Sequence, residues 1–90
     1  MNREDAIKQV TDRLRDTLIA KNRAYGDTAS RSPVLIPNLP AEVALLVRMS
    51  DKINRLSTLL STNTDDNGES IDDTVLDLAG YCVLYLAGKE

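Results

Sequence analysis

The chain has 90 residues, a length that allows one domain, spanning residues 1–90. Hydrophobic residues make up 42% of it, yet only 3% are aromatic, and Phe and Trp are absent. The core must therefore consist of Leu, Ile, Val and Ala, a composition that favours helices. The formal net charge of -3 argues against broad nucleic-acid binding, because phosphate contacts need a concentrated positive surface.

A folded chain of this size removes only about 60 to 65% of its unfolded surface from water, so we expect a homo-oligomer, either a dimer or a tetramer. Cys82 is the only cysteine and lies in an apolar run, which is typical of a reduced intracellular protein. The longest strongly apolar stretch, residues 75–87, is too short to span a bilayer. These features, with no visible signal peptide, predict a cytoplasmic location and no membrane contact.

Hydrophobic spacing predicts three helices, at about residues 3–23, 41–60 and 71–87. Asn2 can cap the first helix, and Gly26 can take the left-handed conformation that commonly closes a helix. The third segment is apolar nearly all the way round, which predicts the central and most buried helix. The predicted fold class is therefore all-α, an αα-hairpin plus an N-terminal helix.

The two connections between these helices differ in character. Residues 28–40 contain three prolines, which forbid a continuous helix and predict a long Pro-rich connector. Because Val34, Leu35, Ile36 and Leu39 are too apolar for a solvated linker, we expect the connector to pack across the helices or to cover a pocket. Residues 61–69 have no apolar anchor and predict a mobile polar loop.

The second helix carries a charged stripe. Its members, at steps of i, i+3, i+4 and i+7, are Arg48, Asp51, Lys52 and Arg55. A solvated face with weak ion pairs, each worth roughly 0.3 to 0.5 kcal/mol, explains this stripe taken alone. The same cations can also bind phosphate, Arg through two parallel hydrogen bonds and Lys as a point charge.

Asp77 does not fit its surroundings, because it lies in the middle of the apolar third helix. A buried carboxylate is strongly unfavourable unless a cation, a metal or hydrogen-bond donors compensate it. Asp73 lies four residues before Asp77 and Tyr81 four after it, so the three share one stripe. The compensating charge can come from the basic stripe of the second helix or from a divalent cation such as Mg²⁺.

Two interpretations of Asp77 stay open at this point. In the structural one, Asp77 pairs with Lys52 or Arg55 and sets the register of the two helices. In the functional one, these charges belong to a ligand site. Gly80, in the same helix, costs about 1 kcal/mol relative to Ala, which indicates close approach of another helix or of a second subunit.

Three ordered motifs resemble a known family; they occupy residues 21–27 (KNRAYGD), 51–56 (DKINRL) and 69–81 (ESIDDTVLDLAGY). They are similar to small bacteriophage and prophage proteins of the group named nucleotide modification associated domain 1, over roughly residues 20–86. That group in turn resembles the all-α nucleoside triphosphate pyrophosphohydrolases of MazG type. The resemblance implies a MazG-like helical-bundle oligomer in the host-cell cytoplasm, with a nucleotide or nucleotide-derived ligand.

Enzymes of MazG type hold Mg²⁺ against the phosphates with acidic pairs on two successive helices. Carried over to this sequence, the resemblance implies that Asp51, Asp73 and Asp77 bind Mg²⁺ and act as catalytic residues. The second acidic pair is spaced by four residues here, where the family's motif has three.

The leading hypothesis is a phage-type nucleotide-ligand protein in which Arg48, Lys52 and Arg55 hold phosphate. Tyr25 is placed to close the pocket, and Tyr81 either stacks on a base or packs in the core. If the protein is an enzyme, metal-activated water attacks a phosphoanhydride and pyrophosphate is released. The alternatives are a non-catalytic protein that sequesters a nucleotide signal used in host defence, and a structural interaction module.

Overall fold

A computed structural model describes residues 1–62 and 70–90, and in these ranges the chain is helical with no strand. The three α-helices are α1 (Arg3–Ala24), α2 (Ala41–Thr62) and α3 (Ile71–Ala87). A short 3₁₀ helix, Thr28–Ser30, follows α1. The predicted all-α class and its three helices are confirmed. Within the described ranges, no helix has both the length and the apolar character that crossing a membrane would require.

Both ends of α1 form the local structures that the sequence predicts. The Asn2 side chain accepts a hydrogen bond from the Asp5 N–H at 2.8 Å and so caps the first turn. At the other end Gly26 has a φ of 67°, and the Asp27 N–H donates to the Asn22 carbonyl at 3.0 Å. This bond spans five residues, as in the Schellman motif, and turns the chain away from the helix axis.

The Pro-rich connector only partly follows its prediction. Leu39 is half-buried, but Val34 and Leu35 are 94% and 93% exposed, so the expectation that these residues pack across the helices is wrong. The Ile36 N–H donates to the Pro33 carbonyl at 3.2 Å, and the Leu39 N–H donates to the Ile36 carbonyl at 3.0 Å. These two successive turns pair the Ile36 and Leu39 N–H groups within the segment itself.

The other connection was predicted as a mobile loop over residues 61–69. Residues 61 and 62 instead form the last turn of α2, whose Thr62 hydroxyl donates to the Thr58 carbonyl at 2.8 Å. The remainder of that prediction, residues 63–69, lies outside the described residues.

The helices α2 and α3 pack as a hairpin around a small core. Leu45 and Leu59 of α2 are buried, as is Thr74 of α3, whose hydroxyl donates to the Ser70 carbonyl at 3.0 Å. α3 begins with a capping box, because the Ser70 hydroxyl accepts from the Asp73 N–H at 3.0 Å and the Asp73 carboxylate accepts from the Ser70 N–H at 3.4 Å. The hairpin is therefore held both by local capping and by contacts between the helices.

An ion pair links the far end of the hairpin. The Lys89 amine, just after α3, donates to the Glu42 carboxylate in the first turn of α2. This hydrogen bond raises the pKa of Lys89. The same amine lies 4.9 Å from the centroid of the Tyr85 ring, a cation–π geometry. Contacts at this end thus join the start of α2 to the end of α3, as an antiparallel pair requires.

The N-terminal helix is attached to the hairpin by a narrow crossing. No residue of α1 is fully buried, and Ile7 is exposed. The crossing lies at Gly80 of α3, where a Cβ atom would stand 3.2 Å from Leu18 Cδ2 and 4.0 Å from Leu14 Cδ1. The prediction that Gly80 permits the close approach of another helix is therefore confirmed.

Replacing Gly80 with a large side chain should detach α1 while leaving the hairpin folded. In Gly80→Leu the new side chain would occupy the space that Leu14 and Leu18 fill, and overpacking of this kind costs about 1 to 3 kcal/mol. We expect hydrogen exchange to show lost amide protection across α1 and retained protection across α2 and α3.

Gly80→Ala is the matched control. Its methyl group needs only a small shift of the flexible Leu18 side chain, and Ala gains about 1 kcal/mol of helix propensity over Gly. Protection of α1 should therefore change little. Equal loss of protection in both variants, or loss across the whole chain in Gly80→Leu, would contradict a local crossing.

Candidate functional site

The conspicuous carboxylate of α3 pairs with a cation of α2. Lys52 Nζ lies 3.1 Å from Asp77 Oδ2, and the two side chains are 21% and 38% exposed. The compensating cation predicted from the sequence is therefore present, and it comes from the basic stripe. Asp77 is less buried than its apolar neighbours suggested. Both charged groups are partly shielded from water, and each compensates the charge of the other. The pair also relates α2 to α3 in one alignment along their length.

A cavity of about 250 Å³ opens beside this pair, between the three helices. Its apolar walls include Leu14 and Leu18 of α1 and Leu76 and Leu84 of α3. Its polar lining includes Lys21, Asn22, Tyr25, Arg48, Asp77 and Tyr81. An apolar enclosure with a few convergent polar groups is the usual form of a small-molecule site.

Four of the eight predicted site residues line this cavity, namely Tyr25, Arg48, Asp77 and Tyr81. They come from the end of α1, the middle of α2 and the middle of α3, so only the packed molecule brings them together. Lys52 does not line the cavity but holds Asp77 at its edge.

Two polar residues of the cavity were not among the predicted site residues. Lys21 and Asn22 lie in the last turns of α1, one helical turn before Tyr25. The sequence held only a weak signal for these two residues. Side chains one helical turn before a candidate ligand-binding residue lie on the same face of the helix, so they can contact the same ligand. Nothing in the sequence alone indicated that this face meets Arg48 of α2.

The cavity has a positive lining. Among the described residues, none forms an ion pair with Lys21 or Arg48. Asp77 is the acidic residue of the lining, and its charge is balanced by Lys52. Two cations therefore face the cavity without a balancing carboxylate, although the chain as a whole has a net charge of -3. This arrangement favours an anionic ligand.

The tyrosines differ in position. Tyr25 follows α1 as its C-terminal cap residue and is 66% exposed, so it stands at the mouth of the cavity. Tyr81 is half-buried in α3, one turn after Asp77. An exposed ring at the mouth and a partly buried ring inside can both present a flat surface to a planar group.

The remaining predicted residues lie apart from the cavity lining. Asp51 is exposed on α2, and Arg55 is half-buried on the same helix. Asp73 is exposed, and its carboxylate takes part in the capping box with Ser70. Their predicted roles stay predictions.

The structure tests how well a metal would fit. In residues 1–62 and 70–90, no group of three or more Asp, Glu, His or Cys side chains is arranged to hold a metal ion. Of the three predicted ligands, only Asp77 reaches the cavity. Three further acids of the sequence fall in residues 63–69, outside the described ranges. The described residues therefore do not by themselves fit the predicted Mg²⁺ site, and we assign no chemical step to a metal.

Comparison with known proteins does not identify the chain. No family model matches the chain, no curated protein matches it, and no solved structure matches it. The fold and the cavity define the protein as an all-α chain in which a helical hairpin and an N-terminal helix enclose a positively lined pocket.

A double-mutant cycle should show that Lys52 and Asp77 stabilise each other. Lys52→Met and Asp77→Asn each remove one charge and leave the other partly buried, so each should destabilise the fold. Because both side chains keep some contact with water, we expect a coupling energy of about 1 kcal/mol. Urea denaturation of the wild type, both single variants and the double variant measures it.

The exposed pair of Glu4 and Lys8 in α1, separated by 3.6 Å, is the control. Its coupling should be at the lower end of the range for surface pairs, about 0.3 kcal/mol. Equal coupling energies in the two cycles would show that the Asp77 pair does not specify how α2 and α3 pack.

Proposed function

We propose that the chain binds a nucleotide or nucleotide-derived ligand in the cavity between its three helices. The observation that carries the proposal is the combination of two cations and two tyrosines in one cavity, where no carboxylate of residues 1–62 or 70–90 pairs with those cations. The resemblance of three sequence motifs to nucleotide-associated phage proteins supports the same ligand class.

The phosphate would lie between Lys21 and Arg48, which approach the cavity from α1 and α2. Arg suits this role because its planar guanidinium can donate two parallel hydrogen bonds to a phosphate, while Lys adds a point charge. In this respect the proposal revises the predicted phosphate set, since Lys52 is occupied with Asp77 and Lys21 takes its place at the cavity.

The base would lie toward Tyr25 and Tyr81. Stacking of a base on an aromatic ring is worth about 1 to 3 kcal/mol and tolerates every base, because each has a π face. The Asn22 amide provides one donor group and one acceptor for a base edge or a sugar hydroxyl. The leucines of the wall would cover the remaining apolar surface of the ligand.

Binding without turnover corresponds to a protein that sequesters a nucleotide signal, and it requires only the cavity and its cations. The pyrophosphohydrolase activity implied by the resemblance is the second candidate. The observation that favours it is that Asp77 lines the same cavity as Arg48, so a carboxylate lies near the proposed phosphate position.

Ligand binding should depend on Arg48. Calorimetric titration with nucleoside mono- and triphosphates and cyclic dinucleotides should identify a ligand, and Arg48→Gln should weaken its binding about 10- to 100-fold through loss of charge-assisted hydrogen bonds. A ligand at 100 times its dissociation constant should also add about 2.7 kcal/mol to the stability of the wild type. Arg48 is exposed, so the unliganded variant should keep its stability within about 0.5 kcal/mol.

Arg13→Gln is the matched control, because Arg13 is an exposed arginine of α1 that does not line the cavity. It should bind as the wild type does. The binding proposal fails if no nucleotide binds, or if both arginine variants lose affinity equally. Pyrophosphate release from a bound triphosphate in the presence of Mg²⁺ would select the enzyme, and binding without release would select sequestration.

A further inference from the structure

The Asp77 carboxylate has hydrogen-bonding capacity that the described part of the chain does not use. Its Oδ2 atom lies 3.1 Å from Lys52 Nζ, and within residues 1–62 and 70–90 its Oδ1 atom has no hydrogen-bond or ion-pair partner. A carboxylate offers about four lone-pair positions and no donor. Asp77 can therefore accept further hydrogen bonds, and it can accept them only from a group that donates.

A ligand in the cavity can reach this carboxylate. Asp77 lines the cavity, and its side chain is 38% exposed. The sequence predicts α3 as the most buried helix, but that prediction is wrong, because α3 has two fully buried residues, Thr74 and Gly80, whereas α2 has three. The middle of α3 thus forms a wall of the cavity, where its polar groups stay accessible.

Asp77 shares its face of α3 with an aromatic ring. Tyr81 lies four residues later, and both side chains line the cavity. Residues at this spacing are neighbours on a helix surface, about 6 Å apart along the axis. A base that stacks on the Tyr81 ring would therefore have one of its edges near the Asp77 carboxylate. α3 combines a stacking surface with a hydrogen-bond acceptor.

The charges of the cavity are divided between the helices. Its cations come from α1 and α2, as Lys21 and Arg48, while α3 contributes Asp77 and no cation. A phosphate is attracted by the first two helices and repelled by the carboxylate of the third. A bound nucleotide would therefore turn its phosphate toward Lys21 and Arg48 and its uncharged base toward α3.

The base-pairing edges of the four bases differ in what they offer a carboxylate. Guanine presents two adjacent donors, N1–H and the N2 amino group, and these match the two oxygens of a carboxylate. Adenine and cytosine each place a ring-nitrogen acceptor beside their amino group, and uracil places its N–H between two carbonyls. An acceptor that faces a carboxylate makes no hydrogen bond and leaves both groups unsatisfied.

We propose that Asp77 determines base specificity by accepting two hydrogen bonds from the base-pairing edge of guanine, so that the ligand is a guanine nucleotide. The proposal rests on the proposed function, because it assigns one contact within the same cavity. Oδ2 can keep its pair with Lys52, since each carboxylate oxygen has a second lone pair. A ribose diol also offers two adjacent donors, and a deoxynucleotide separates the two cases.

Calorimetric titration of the wild type without Mg²⁺ should rank nucleotides by their donors. GTP should bind about 10-fold more tightly than ITP, which lacks the amino group, because one charge-assisted hydrogen bond is lost. ATP and XTP place an acceptor at the carboxylate and should bind about 100-fold more weakly than GTP. dGTP should bind as tightly as GTP, because its base edge is the same.

Asp77→Asn should reverse the preference between GTP and XTP. The Asn amide has one acceptor and one donor, which match the N1–H and the neighbouring C2 carbonyl of xanthine. Loss of the Lys52 pair also destabilises this variant. Partial unfolding lowers the apparent affinity for every nucleotide by the same factor, so the ratio of the two affinities still reports the contact.

Asp72→Asn is the matched control, because Asp72 is an exposed carboxylate of the same helix that does not line the cavity. It should keep the wild-type preference for GTP. Equal binding of GTP, ITP and ATP, weak binding of dGTP, or an unchanged ratio of GTP to XTP affinity in Asp77→Asn would overturn the inference and leave the proposed function standing. Failure of all five nucleotides to bind would remove both.

Discussion

One polar contact relates α2 to α3, the ion pair of Lys52 with Asp77. A carboxylate in an apolar helix needs a cation, and a lysine on the neighbouring helix can reach it only when the two helices are aligned along their length. With the pair formed, Arg48 and Tyr81 line a common cavity, and Gly80 is left to receive α1. The ion pair thus specifies how the two helices are aligned, whereas the buried leucines around it contribute most of the hydrophobic stabilisation.

The cavity lies between α1, which is the least firmly held helix, and the more firmly held hairpin of α2 and α3. Part of its wall comes from α1, which has no fully buried residue and crosses α3 at Gly80. The opposite wall comes from the hairpin, which holds the buried core. A ligand that contacts Lys21 and Arg48 would therefore bridge the two parts. In such a molecule, ligand binding and docking of α1 are thermodynamically coupled, because each favours the same closed arrangement.

The hairpin separates two kinds of surface. The side that faces the cavity carries cations and tyrosines, while exposed Leu, Ile and Val side chains lie elsewhere on the two helices. In a chain of 90 residues with few aromatic side chains, a single core cannot cover every apolar residue.

The sequence by itself determined the features that depend on neighbours within one or two turns: the Asn2 cap, the Gly26 turn and the capping box of Ser70. It also determined that Asp77 needs a cation, because that need follows from its apolar neighbours. Only the tertiary structure decided that Lys52 provides the charge, that Lys21 and Arg48 share a cavity, and that Val34 is exposed. These outcomes depend on how whole helices rotate and cross. Packing between side chains that are far apart in the chain determines both.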